Sequence, residues 1–126
     1  MQIYKKIIAQ FSKAAQAATV KRLTLGLGYT AVLLCDGRLG LSYTYVSDLE
    51  SCMVFTYPDE IDGKGALPLL HLINSENLVD RSAAIAVVNA LNAERAAAYG
   101  EDRLEYLSAF DPGPGDVIAM AGYFGP

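Results

Sequence analysis

Few residues in this chain have the type and spacing for chemistry. The only histidine is His71, inside the apolar stretch Leu69-Leu70-His71-Leu72-Ile73, and the two cysteines are Cys35 and Cys52. A nucleophilic triad needs a base beside its nucleophile and a third group that orients the base. No Ser sits in a G-x-S-x-G elbow, so no catalytic residue is assigned. His71 reads first as a structural histidine, at a helix surface or satisfied in the core, and second as a catalytic or metal-binding one. Cys35, Cys52 and His71 are the only soft or borderline metal ligands. They lack the close pairing that structural zinc prefers, so buried inert thiols come first for the cysteines and metal ligation second.

Other patterns point to ligands more weakly. Asp59-Glu60-Ile61-Asp62-Gly63 hints at a hard-cation loop, but the position where an EF-hand places its bidentate Glu is Leu70; a solvated turn accounts for it better. Gly26-Leu27-Gly28 lacks the third glycine and the following helix of a dinucleotide fingerprint, so a bulge or close backbone packing explains it. Gly63-Lys64-Gly65 is not a phosphate loop. Gly122-Tyr123-Phe124-Gly125 follows an apolar run where a phosphate-cradling turn would sit, with no helix N-terminus after it. Thr30 and Asn89 are the polar residues best placed to touch a ligand. Asn89 lies near the apolar face of its helix, where a buried amide must be hydrogen-bonded; a tie to backbone is its first reading. Thr30 is equally a good strand residue. Of eight tyrosines, Tyr29, Tyr43, Tyr45 and Tyr57 fall in or just after the expected sheet. Sheet packing is their default role, a binding face the alternative.

Composition limits the partners. The chain has 126 residues, 52% hydrophobic and 19% charged, with a formal charge of −4 and a pI near 4.8. A nucleic-acid binder shows a basic surplus on one face, and here only Lys5-Lys6 and Lys21-Arg22 come in pairs, so nucleic acid is excluded. No run of about 18 apolar residues exists to span a membrane, and the N-terminus has no signal-peptide core. With too few cysteines for a secreted disulfide framework, the chain reads as cytoplasmic. A mean hydropathy of +0.23 is high for a small monomer and leaves room for a partner surface.

The elements that must position these residues follow from period. Ile3, Ile7, Ile8, Phe11, Ala14, Ala15 and Ala18 make one helical stripe, ending near Thr19. The period then switches to two. Arg22–Gly28, the apolar run Tyr29–Cys35 and Leu39–Tyr45 read as a three-stranded antiparallel meander. Asp36-Gly37 marks a hairpin in which a type I′ turn wants φ > 0 at both central positions. The alternation in Leu23–Leu27 and Leu39–Tyr45 fixes which sides face the core. From Val46 to Gly65 the pattern dissolves into loop. Helix returns over Ala66–Asn74, with Pro68 in its first turn. It returns again over about Arg81–Asn92, capped by Asn77 or Asp80, with a stripe including Ala84, Ile85, Val88 and Leu91. Glu101–Glu105 leads a short helix to Phe110, and Asp111–Asp116 looks like a linker. The fold class is α+β: a leading helix, the meander, then helices on one sheet face.

Three segments carry a family resemblance: Gly28-Tyr29-Thr30-Ala31-Val32 with Gly40-Leu41-Ser42 across the hairpin, Ala83–Leu91, and Gly115–Pro126. In that order they resemble an uncharacterised bacterial and archaeal family. Its members have an enolase N-terminal-like domain followed by a Rossmann-like domain labelled putative heavy-metal chelation. The resemblance implies an enolase N-terminal-like domain over 1–110, a linker over 111–116, and only the first strand and turn of the second domain over 117–126. It also implies a ligand site between the domains, with Thr30, Asn89, Gly122 and Tyr123 as the candidates to line it.

The leading function is thus a non-catalytic ligand-binding or capping domain of a two-domain protein, linked to a metal or a metal-bound small molecule. Two alternatives stay open: half of an enzyme whose active site needs the second domain or a partner protein, and an assembly module with no small ligand. No cofactor is assigned. The uncharged, apolar segment Val117–Phe124 would make a sticky edge, so a homodimer is expected with this C-terminal tail at its interface.

Overall fold

The chain alternates a helical period with a strand period and back, and the elements follow. The computed structural model describes residues 2–45, 60–98 and 113–117. Helix α1 (Gln2–Ala17) is followed by strands β1 (Val20–Leu25), β2 (Tyr29–Leu34) and β3 (Leu39–Tyr43). Then come α2 (Leu67–His71), continued by one 3-10 turn (Leu72–Asn74), α3 (Leu78–Leu91) and a short α4 (Ala93–Ala97). The strands pair antiparallel in the order β1-β2-β3, and the helices lie on one face of the sheet: an α+β fold. The core joins Val20, Val32 and Leu34 from the sheet, Ala66, Leu69 and Leu70 at α2, and Ala86, Val87 and Ala90 from α3, with Ala15 and Ala18 at the end of α1. The expected stripe of α1 holds at Ile7, Phe11 and Ala15, whereas Ile3 and Ala14 are exposed.

The meander differs from its expected form in two details. The β2–β3 loop has three residues, Cys35-Asp36-Gly37: Gly37 N–H donates to Leu34 O at 3.0 Å, and Leu34 N–H to Arg38 O at 2.9 Å. Asp36-Gly37 therefore closes the hairpin one residue later than a two-residue type I′ turn would. Gly37 takes φ +93° as the left-handed residue after the turn. The Asp36 carboxylate holds that loop, accepting from Arg38 N–H at 3.1 Å and from its guanidinium at 2.7 and 2.9 Å.

The second difference is one of sides. In β3 the inward residues are Gly40, Ser42 and, just past the strand, Thr44, while Leu39, Leu41, Tyr43 and Tyr45 face out and are exposed. Gly40 decides this. A Cβ there would collide with the α3 backbone, at the Ala86 carbonyl oxygen and the Ala90 nitrogen, so α3 lies directly on the strand through its alanines. No leucine fits under that contact. The buried hydroxyls of Thr30 and Thr44 satisfy each other at 2.7 Å across the same inner face. Gly26 shows the close packing expected of it: an added Cβ would sit 2.9 Å from the Tyr29 carbonyl oxygen.

Helix α3 begins at Leu78, three residues before the expected start, because Asn77 is its cap. The Asn77 side chain accepts from Val79 N–H at 2.8 Å. Ser75 Oγ accepts from Asn77 N–H at 3.1 Å and donates to Asp80 at 2.8 Å, which places a carboxylate at the positive end of the helix. Most of α3 is buried, Ala84 and Leu91 included, and Ile85 and Val88 are half-buried. The linker reading meets a turn at Gly113–Asp116, closed by Asp116 N–H to Gly113 O at 3.1 Å, with Gly115 at φ +109°. The expected loop 46–59, the helix leading to Phe110 and the strand 118–126 lie outside the described residues.

Candidate functional site

The first turn of α1, the N-terminal half of α3 and the end of β3 meet in a groove of about 330 Å³. Its walls are Tyr4, Ser42, Tyr43, Tyr45, Leu78, Arg81, Ser82 and Ile85. The inversion of β3 builds it: small residues turn inward, so Tyr43 and Tyr45 are left at the strand's open edge. Those rings pack edge-to-face at 5.4 Å, and Tyr43 meets Tyr29 at 6.2 Å in the same manner. Across from them the Arg81 guanidinium lies over the Tyr4 ring, 5.6 Å from its centroid. Its Nε–H donates to the Ser75 carbonyl, which fixes the plane of the group. Among the described residues Arg81 is the one charged residue lining the groove. A fixed guanidinium among tyrosines suits a carboxylate or another planar anion, taken in a fork of N–H donors with an aromatic body beside it.

Helix α3 also seals the β3 edge. Ser82 and Asn89 stand two helical turns apart on the same side. Ser82 Oγ accepts the Tyr45 N–H at 3.3 Å while donating to Leu78 O at 3.0 Å. Asn89 Nδ2 donates to Leu41 O at 2.6 Å. Asn89 is thus tied to backbone as first read, although the residue itself is exposed rather than buried.

The other sequence candidates are scattered. Thr30 is fully buried beneath the sheet, bonded to Thr44. Cys35 is exposed in the hairpin loop as a free thiol, not buried, at the end of the sheet opposite Tyr45. His71 is exposed in the last turn of α2. No three His, Cys, Asp or Glu side chains gather into a metal-binding group among the described residues. Cys52, Tyr57, Gly122 and Tyr123 lie outside them. The described part of the acidic stretch, residues 60–63, ends in a turn with Gly63 at φ +83°. Its Gly63 N–H donates to Val20 O at 2.7 Å, and Glu60 and Asp62 are exposed. Tyr4, Arg81 and Ser82 were not singled out by sequence. The groove draws on three distant segments, and the only hint was the tyrosine cluster around β3.

A small α+β domain with an arginine-and-tyrosine groove at its sheet edge is the class defined so far. The chain belongs to the DUF4213 family, described as putative heavy-metal chelation, whose sequence profile matches residues 8–92. No curated protein matches it. Among solved structures it is similar to a protein of unknown function of the DUF364 family from Desulfitobacterium hafniense DCB-2, at 21% identity and a TM-score of 0.57, over 79% of this chain and 38% of that one. A DUF364 protein of unknown function from Pyrococcus horikoshii is similar at 23% identity and a TM-score of 0.56, over 73% of this chain and 38% of that one. These likenesses are of fold, and the chain spans well under half the length of either structure. No helix among the described residues is long and apolar enough to cross a membrane.

Proposed function

We propose that this chain is a non-catalytic ligand-binding or capping domain of a two-domain protein, enolase N-terminal-like and followed by a Rossmann-like domain. Its ligand is a metal carried in an organic complex. The observation that carries this reading is the groove. The single charge among its described lining residues is a guanidinium, which repels a bare cation and attracts the carboxylates of a chelator. The family description supplies the metal, and the extra length of the structural relatives supplies room for a second domain to close over the groove. Thr30 and Asn89 then serve as supports for the sheet beneath and beside the ligand.

Titration calorimetry tests this with two sets of probes: Zn²⁺, Ni²⁺ and Co²⁺ as simple chlorides, and the same metals as citrate complexes. Heat from the complexes, abolished in Arg81→Ala, is the expected result. Heat from the free ions, lost on replacing Cys35 or His71, would overturn the groove in favour of those side chains. The enzyme reading draws on the same difference in length, and turnover by a form extended through the second domain, absent from this chain, would establish it.

A further inference from the structure

The sheet has a second face that no helix among the described residues covers. On it stand Tyr29 (67% exposed), Leu39 (53%), Leu41 (51%), Tyr43 (61%) and Tyr45 (59%). Ala31 and Leu33 lie half-buried between them, and Arg22 and Thr24 of β1 lie along one side. Five large side chains exposed to that degree present on the order of 500 Å² of mostly apolar surface, near the upper end of what a monomer leaves open. We propose that this face packs against the same face of a second copy, making a two-fold dimer in which two three-stranded sheets form a sandwich.

Three observations favour a second copy as the occupant. The first is area: two such faces bury about 1,000 Å² before their flanking residues are counted, about the minimum that a specific interface must clear. The second is charge. Arg22 is the only ionisable residue other than tyrosine in the pairing rows of this face, and it stands on the β1 side, so two copies meet without like charges at the centre. The third is shape. The register places Tyr29 opposite Tyr43, Ala31 opposite Leu41, and Leu33 opposite Leu39. The face therefore rises at its tyrosine end, dips at Ala31 and is lower at its leucine end. A two-fold axis through the Ala31–Leu41 row sets the tyrosine end of each copy on the leucine end of the other. Such a surface is complementary to itself, as an isologous interface requires, and twisted sheets stack face to face about 10 Å apart with aligned strands.

This differs from exchange of the C-terminal tail, and the two are separable. Sedimentation equilibrium of the 126-residue chain, with far-UV circular dichroism to report folding, measures the dimer constant. The chain is dimeric at about 50 µM. Leu41→Lys weakens the dimer at least ~100-fold, because the charge is placed at the axis and counted twice. Leu41→Ser weakens it less, and serves as the readout should the lysine variant fail to fold. Ile118→Lys with Met120→Lys in the tail leaves the constant within about threefold. A wild-type monomer at that concentration overturns the proposal. So does a dimer that survives Leu41→Lys and Leu41→Ser while folded, and so does one dissolved by the tail substitutions alone.

Discussion

Replacing Gly40 by alanine adds one methyl group and tests the contact on which the whole inner face depends. The new Cβ would lie 2.9 Å from Ala90 Cα and closer still to the Ala86 carbonyl oxygen and the Ala90 nitrogen. All three are backbone atoms of a helix, so no side chain can swing aside. Either α3 lifts off β3 by about an ångström or the strand is pushed outward. Overpacking of a tight interface costs about 1–3 kcal/mol. Displacement also strains the hydrogen bonds from Asn89 to Leu41 and from Tyr45 to Ser82, each worth about 1 kcal/mol. Against this, losing a glycine restricts the unfolded chain and returns about 0.4–1 kcal/mol. The net loss is about 2–3 kcal/mol, roughly a 10 °C fall in Tm for a domain of this size. Urea unfolding followed by circular dichroism measures it. Gly28→Ala is the control, since a Cβ at Gly28 meets nothing within 4 Å; it is expected to leave stability unchanged or to raise it by up to about 1 kcal/mol. A Gly40→Ala protein as stable as the Gly28→Ala protein would refute the reasoning, because α3 would then have room above the strand.

Two further outcomes are expected. Thr30→Val and Thr44→Val each leave a hydroxyl without its partner in a buried site and cost about 1–3 kcal/mol, whereas the double variant recovers much of that loss; a double-mutant cycle in urea reads the coupling, and additive losses would count against the pair. The Arg38 side chain, through its hydrogen bonds, holds the Asp36 carboxyl below the usual carboxylate range. A carboxylate whose folded pKa is depressed stabilises the fold above its unfolded pKa of about 4 and loses that contribution as pH falls through the folded value. Asp36→Asn therefore removes stability at neutral pH and not at the lowest pH, by the fraction of a kcal/mol typical of exposed pairs; thermal melts of both proteins at a series of pH values show whether the difference closes in acid.

How much of this was legible in the sequence depended on whether a segment's period and its burial agreed. They agree in α1 at Ile7, Phe11 and Ala15, and in β2, whose apolar run is covered by the core through Val32 and Leu34. They disagree in β3. Leu-Gly-Leu-Ser-Tyr alternates as a half-buried strand should, and the apolar half faces out because the partner helix approaches too closely for leucine. The signal for that lay elsewhere in the chain: a helix with alanine at 83, 84, 86 and 90 is built to touch backbone, and it needs a glycine opposite. Asn89 drew attention as a polar residue on an apolar helix, and its bond to a strand carbonyl is the reason it is there. Arg81 gave no such sign, since its importance comes from Tyr4 and from a tyrosine pair about forty residues upstream, none of which is adjacent in sequence.

The seal that α3 places on β3 has a consequence for the order in which the protein comes into being. Asn89 reaches Leu41 across 48 residues and Ser82 reaches Tyr45 across 37. A growing chain presents β3 long before it presents the helix that closes its edge. At synthesis rates of about 5–20 residues per second the strand waits several seconds, with its free carbonyls and its outward leucines and tyrosines in reach of any other unfinished chain. Partners that hold nascent chains apart matter most in that window, and a stop or pause between residues 45 and 89 would leave a strand with exposed leucines and tyrosines unsealed.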